Sequence, residues 1–133
     1  MADETLANLM AFLERYHGTE VTWGTDDCSA LCAAWARECG YDVHIPAYSS
    51  QEEAHRLTSQ AGGLVPLWDR ICTSAGVPER VGAPQVGDVG IIPTDRFGPV
   101  GVIFASEGLC CWRLSKSAFW LSPRRYEKVW AIT

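Results

Sequence analysis

Histidine is scarce in this chain of 133 residues, and it stops early: His17, His44 and His55 are the full complement. Chemistry that needs an imidazole must therefore draw on the first half of the sequence. Positive charge is thin as well, with 11 Lys and Arg against 16 Asp and Glu and a formal net charge of -5. The densest basic stretch, Arg124, Arg125 and Lys128, is diluted by Glu127. Binding to a phosphate backbone needs a concentrated positive face, so nucleic acid is not an expected partner. No apolar run approaches the roughly 20 residues of a spanning helix, so no membrane insertion is expected. The sequence has no CxxC pair and no second pair at finger-like spacing, which argues against structural zinc; no metal or other cofactor is expected. The start, Met1-Ala2-Asp3-Glu4, lacks the basic residues of a secretory signal, so synthesis in the cytoplasm is expected. Internal repeats and low-complexity tails are absent too.

What remains is an ordinary folding composition, 47% hydrophobic and 20% charged, in a length that suits one domain spanning 1–133. Leu6, Leu9, Met10, Leu13 and Tyr16 recur at three- and four-residue steps and predict a first helix from Glu4 to Tyr16. A second helix is expected from Asp27 to Gly40, with Leu31, Cys32, Trp35 and Cys39 facing inward. Pro46 keeps the following loop, which holds His44 and Tyr48, from being helical. Ser50-Gln51-Glu52-Glu53 reads as a capping box that opens a third helix, closed by Gly62-Gly63. A short fourth helix should run from Leu64 to Ala75. Beyond Gly76 the pattern changes. Val77 to Gly87 is a Pro- and Gly-rich connector, and β-like runs follow at Val89–Ile92, Val100–Ala105, Leu109–Leu114, Ala118–Leu121 and Tyr126–Ile132. Helices over about 1–76 followed by strands over about 86–133 predict an α+β fold with an antiparallel meander.

Six cysteines are many for a reducing compartment. Cys32 and Cys39 read as small buried apolar residues, and adjacent Cys110 and Cys111 would face opposite sides of a strand. Cys28 differs. It follows Trp23-Gly24-Thr25-Asp26-Asp27 at a helix start, where Asp26 or Asp27 is expected to cap the first turn. There the helix dipole favours thiolate over thiol, although a neighbouring carboxylate works against it. Cys28 is therefore the candidate nucleophile.

The order Trp23-Gly24…Asp27-Cys28-Ser29, then Gly87-Asp88-Val89-Gly90-Ile91, then Val100-Gly101-Val102-Ile103 resembles the NlpC/P60 group of papain-like cysteine peptidases. Those enzymes cleave peptide bonds in bacterial cell-wall peptidoglycan. It is more closely similar to short phage and bacterial relatives of that group. These share the Tyr48-Ser49-Ser50 helix opening, the Gly62-Gly63-Leu64 step and Gly87-Asp88-Val89, and their genes often lie among phage tail genes. The resemblance covers about Leu6 to Ile132. It implies N-terminal helices packed on a C-terminal antiparallel sheet, with Cys28 as nucleophile. It also implies a general base directly before the Val-Gly segment of the second strand, and an orienting polar residue on the next strand. Here the base position holds Pro99, and the nearest match for the orienting group is Cys111 or its neighbours.

Of the three histidines, His17 reads as a solvated helix end and His55 as a surface residue beside Glu52, Glu53 and Arg56. His44 is the candidate base, but it leaves the far end of the cysteine helix, roughly 15–20 Å from Cys28. The primary expectation is therefore a catalytically silent component of a phage or prophage tail tip, located in the virion, whose partners are other tail proteins. The alternative is an active cysteine peptidase or amidase acting on peptidoglycan peptides. A redox role for Cys28 and Cys32, one helical turn apart, is a third and weaker reading.

Overall fold

The computed structural model describes residues 2–113 and 118–132. The helices come first: α1 (Ala2–Glu14), α2 (Cys28–Glu38), α3 (Gln51–Gln60) and α4 (Leu64–Ala75). The strands follow as β1 (Val89–Thr94), β2 (Gly98–Phe104), β3 (Cys110–Arg113), β4 (Ala118–Leu121) and β5 (Lys128–Trp130). This is the expected α+β order. Leu114, with which the third predicted strand ends, lies outside the described residues.

Local chemistry accounts for most boundaries. Ser50 caps α3, its hydroxyl accepting from the Glu53 amide at 3.1 Å. The reciprocal half of the capping box is not made, because the Glu53 carboxylate accepts from the Ser49 hydroxyl at 2.9 Å. Gly76, at φ +75°, ends α4 in the left-handed conformation that stops helices. The apolar stripe of α1 is centred on the buried Leu9 and Phe12, whereas Met10 sits off that arc and is exposed. At 100° per residue Met10 falls on the edge of the stripe that Leu6, Leu9, Leu13 and Tyr16 define.

The sheet order is β4-β3-β2-β1-β5, with every printed pairing antiparallel. The first four strands form the predicted meander; the fifth does not continue it. β5 pairs instead with β1, Gly90 opposite Val129, at the other edge of the sheet. The connector from β4 brings Tyr126 edge-on to Phe104, ring centroids 6.1 Å apart. Alternation along the strands sorts two cores. Val89, Ile91, Ile103, Cys111 and Trp130 join α1, α2 and α4 in the larger one. Ile92, Val100, Val102, Phe104, Cys110, Trp112 and Val129 form the second, on the opposite face. Cys110 and Cys111 thus part as the strand period requires.

α2 lies against β2, with its first turn packed over Gly101. A Cβ there would stand 3.5 Å from the Cys32 sulfur and 3.7 Å from the Cys28 carbonyl oxygen, at ordinary contact distance. Trp35 fixes the helix lengthwise: it is fully buried, and its indole N–H donates to the Gly87 carbonyl at 2.8 Å. The adjoining Asp88, with no exposed surface, accepts a bidentate pair from Arg80 at 2.8 and 3.0 Å and the Gln85 amide at 2.9 Å. The Gly87-Asp88 step therefore ties the connector and α2 to the start of the sheet.

Candidate functional site: a groove over the Cys28 turn

A groove of about 790 Å³ opens above the start of α2. Its walls come from the 21–29 turn, the 45–48 strap, α3, the start of α4, the β1–β2 turn and β3. Cys28, half-buried, lies in this groove together with Trp23, Tyr48, His55, Arg96 and Pro99. The volume is in the upper part of the range for small-ligand clefts.

The cysteine turn is held from three directions. Asp27 occupies the N-cap position of α2, but its carboxylate makes no cap bond to the helix. It turns backward instead, accepting the Gly24 amide at 2.8 Å and the Tyr48 hydroxyl at 2.6 Å. Asp26 accepts the Thr22 amide at 2.7 Å and stands 3.5 Å from the Arg113 guanidinium. The expected side-chain caps are thus replaced by clamps on the preceding loop. The two carboxylates do point apart, as neighbours at a helix start must.

Gly24 makes the clamp possible. At φ +86° it lies in the left-handed region, and a Cβ there would fall 1.9 Å from the Tyr48 carbonyl oxygen. Only glycine lets the strap cross the turn at this point. The third hold is Arg113 on β3, whose side chain is 2% exposed. It donates to the Tyr16 carbonyl at 2.8 Å, the Thr19 carbonyl at 2.6 Å and the Thr19 hydroxyl at 2.8 Å. Reading the sequence missed Arg113, although a lone arginine inside the apolar run Leu109–Leu114 was its signal.

The Cys28 sulfur receives the amides of Gly101 and Ser29, which favour the thiolate. Burial acts the other way and dominates, reinforced by the Asp27 carboxylate, so the thiol is held above its ordinary pKa. The helix start was expected to favour the thiolate and the neighbouring carboxylate to oppose it; burial, which the sequence did not announce, tips the balance to the thiol. Desolvation and an adjacent anion outweigh a helix start. Tyr48 is also pushed up, by burial first and then by its bond to Asp27, and stays a hydrogen-bond donor.

No histidine among the described residues bonds to this sulfur. His44 is exposed, pairs with Asp42 at 2.7 Å and is not among the groove residues. His17 is exposed beyond the end of α1. His55 is exposed as expected, yet it belongs to the α3 wall of the groove, a position the helical pattern alone did not reveal. Pro99 lines the groove two residues before Gly101, whose amide touches the sulfur. Side chains two apart on a strand share a face, so the position implied for a base does face the cysteine turn. Its ring has no basic nitrogen. Cys111 is buried in the larger core, and burial pushes its thiol to about 12, leaving it inert at neutral pH. No group of three or more His, Cys, Asp or Glu suited to a metal ion occurs among the described residues. No helix of the described residues is long and apolar enough to cross a membrane.

The profile of a family described as "Domain of unknown function (DUF6950)" matches residues 3–132. No curated protein matches the chain, and no solved structure does.

Proposed function

We propose that this chain, which belongs to the DUF6950 family, is an NlpC/P60-like protein whose peptidase-type groove binds without cutting. In this reading it is an assembly component of the tail tip of a phage or phage-derived particle. One observation carries the silent part: the strand that contacts the Cys28 sulfur through Gly101 presents Pro99 where a base is required. A thiol raised above its ordinary pKa, with no histidine among the described residues bonded to it, is a poor nucleophile at neutral pH. Helices packed on an antiparallel sheet, with the cysteine opening the helix that crosses β2, support the papain-like kinship. The tail setting rests on the resemblance in motif order.

The experiment is alkylation with iodoacetamide across pH, mapped by site, alongside incubation with peptidoglycan fragments and a search for the protein in purified particles. The silent reading expects slow labelling of Cys28 until alkaline pH, intact fragments and recovery in particles. Selective labelling near pH 7 together with cleaved fragments would overturn it.

A second reading, an active cysteine peptidase or amidase, draws on His55, the histidine that shares the groove with Cys28. There His55 would take the Cys28 proton as sulfur attacks the peptide carbonyl carbon. It would return that proton to the leaving amine, and water would hydrolyse the acyl-enzyme. Loss of fragment cleavage in His55→Ala would identify that route.

A further inference from the structure

Of the four helices, α3 alone buries no residue. Its two apolar side chains, Ala54 and Leu57, are half-buried, and both line the groove over the Cys28 turn. Among the described residues its side chains bond only within their own segment: Ser49 and Ser50 with Glu53, and Thr58 with the Ala54 carbonyl. Local stability follows buried apolar contact and bonds to the rest of the molecule, and α3 is poor in both. The walls around it are tied down. α4 buries Leu64, Trp68, Ile71 and Cys72, and the Cys28 turn is clamped through Asp26 and Asp27.

The joint between α3 and α4 is one residue wide. The Gly63 amide belongs to α3, donating to the Thr58 carbonyl at 2.9 Å, whereas the Gly63 carbonyl belongs to α4, accepting from the Leu67 amide at 3.2 Å. The two dihedrals of Gly63 therefore set the angle between the helices. At φ +131° and ψ 173° they lie in a region open to glycine alone. At the other end the Tyr48 hydroxyl is bonded to Asp27, which leaves Ser49 and Ser50 as the second joint. We infer that α3 is a lid, which pivots as one rigid piece on Gly63 and sets the width of the groove while the floor that carries Cys28 stays still. The helix is about 15 Å long, so a turn of about 20° at Gly63 carries its far end about 5 Å. Closing it moves Ala54 and Leu57 toward Trp23, Phe97 and Pro99 on the other walls, and the apolar surface so removed from water drives the motion.

The test is backbone amide relaxation dispersion by NMR on the full chain, which reads the microsecond-to-millisecond range of lid motions. The amides of Gln51–Gln60 should show dispersion that fits one rate and one minor population, with those of Thr22–Ser29 and of α2 flat. Gly63→Ala should remove the shared dispersion, because a Cβ closes most of the dihedral range through which the joint turns. Gly62→Ala is the control: at φ +92° it carries a similar backbone strain, but its amide bonds to the Ser59 carbonyl within the α3 end, so the dispersion should remain. Leu57→Ser, on a helix that contributes nothing to the core, should lower the closed population about fivefold through the apolar surface it withdraws. It decides the question should an alanine at Gly63 prevent folding.

Flat profiles across α3, a separate rate for each of its residues, or minor-state shifts at unfolded-chain values would overturn the lid. So would a Cys28 turn that shares the α3 rate, because the floor would then move with it. Wild-type dispersion in Gly63→Ala would sink the pivot. A minor population that rises in Leu57→Ser would show α3 swinging away from the groove rather than onto it. Each outcome is read without a substrate, so the lid and the silent reading of Cys28 stand or fall separately.

Discussion

Gly24→Ala isolates the crossing of the strap over the cysteine turn. Two costs add. The first is backbone: an alanine at φ +86° sits in the left-handed region, at about 1–2 kcal/mol. The second is steric. A Cβ 1.9 Å from the Tyr48 carbonyl oxygen cannot be accommodated, so the strap must lift. Lifting it breaks the 2.6 Å bond from the Tyr48 hydroxyl to the Asp27 carboxylate, a charge-assisted contact of about 1.5–3 kcal/mol. The expected loss is about 3–5 kcal/mol, a large fraction of the roughly 5–15 kcal/mol that holds a domain folded. Gly40→Ala supplies the control, because Gly40 has φ +100° but nothing within 4 Å of an added Cβ. It should show the backbone cost alone. Urea unfolding followed by tryptophan fluorescence measures both. A gap of about 2 kcal/mol or more between the two variants is expected, with faster alkylation of Cys28 in Gly24→Ala under native conditions. Equal losses would refute the clamp.

Other outcomes follow from the same contacts. Asp88→Ala leaves Arg80 without its bidentate partner in a site where Asp88 is wholly buried, and should cost about 3 kcal/mol in urea unfolding; a loss below about 1 kcal/mol would deny the pair its role. Burial pushes the Cys72, Cys110 and Cys111 thiols to about 12 from an ordinary value of 9.0, so folding favours their protonated form. Their contribution is intact below about pH 8 and is lost as pH rises from 9 through 12. Each gives up about 1.4 kcal/mol by pH 10, and unfolding midpoints that stay level between pH 8 and 10 would contradict this. Pro99→His places an imidazole on the strand face that meets the cysteine turn. It should raise the Cys28 alkylation rate at pH 7 about tenfold over wild type, and an unchanged rate would show that this position does not address the sulfur.

Much of the scaffold was legible because its signals are local. The α4 span Leu64–Ala75 follows from two glycine stops and one apolar stripe, and the Ser50 cap from a hydroxyl three residues before an amide. The strand alternation that sends Cys110 and Cys111 to different cores needs only a period of two. What escaped the sequence depends on distant partners. β5 returns to β1 because an edge was open there, which no property of Lys128–Trp130 announces. Asp26 and Asp27 carry the composition of helix caps, yet Arg113 and Tyr48 compete for their oxygens and win. The same holds for Cys28, where burial and Asp27 reverse what a helix start alone predicts. His55 reads as solvent-facing from its helix and is so; that the solvent there fills a groove is set by α2, α4 and the β1–β2 turn.

Arg113 has a consequence for how the molecule is made. Its bonds reach back 97 residues to Tyr16 and 94 to Thr19, so the loop that leads into the Cys28 turn is fastened by a strand synthesised long after it. Closing a loop of that length costs chain entropy before the contact repays it. A chain still on the ribosome, or one cut short before its third strand, can have its helices and still lack a shaped cleft. The groove takes its form only once β3 has closed onto the loop before α2.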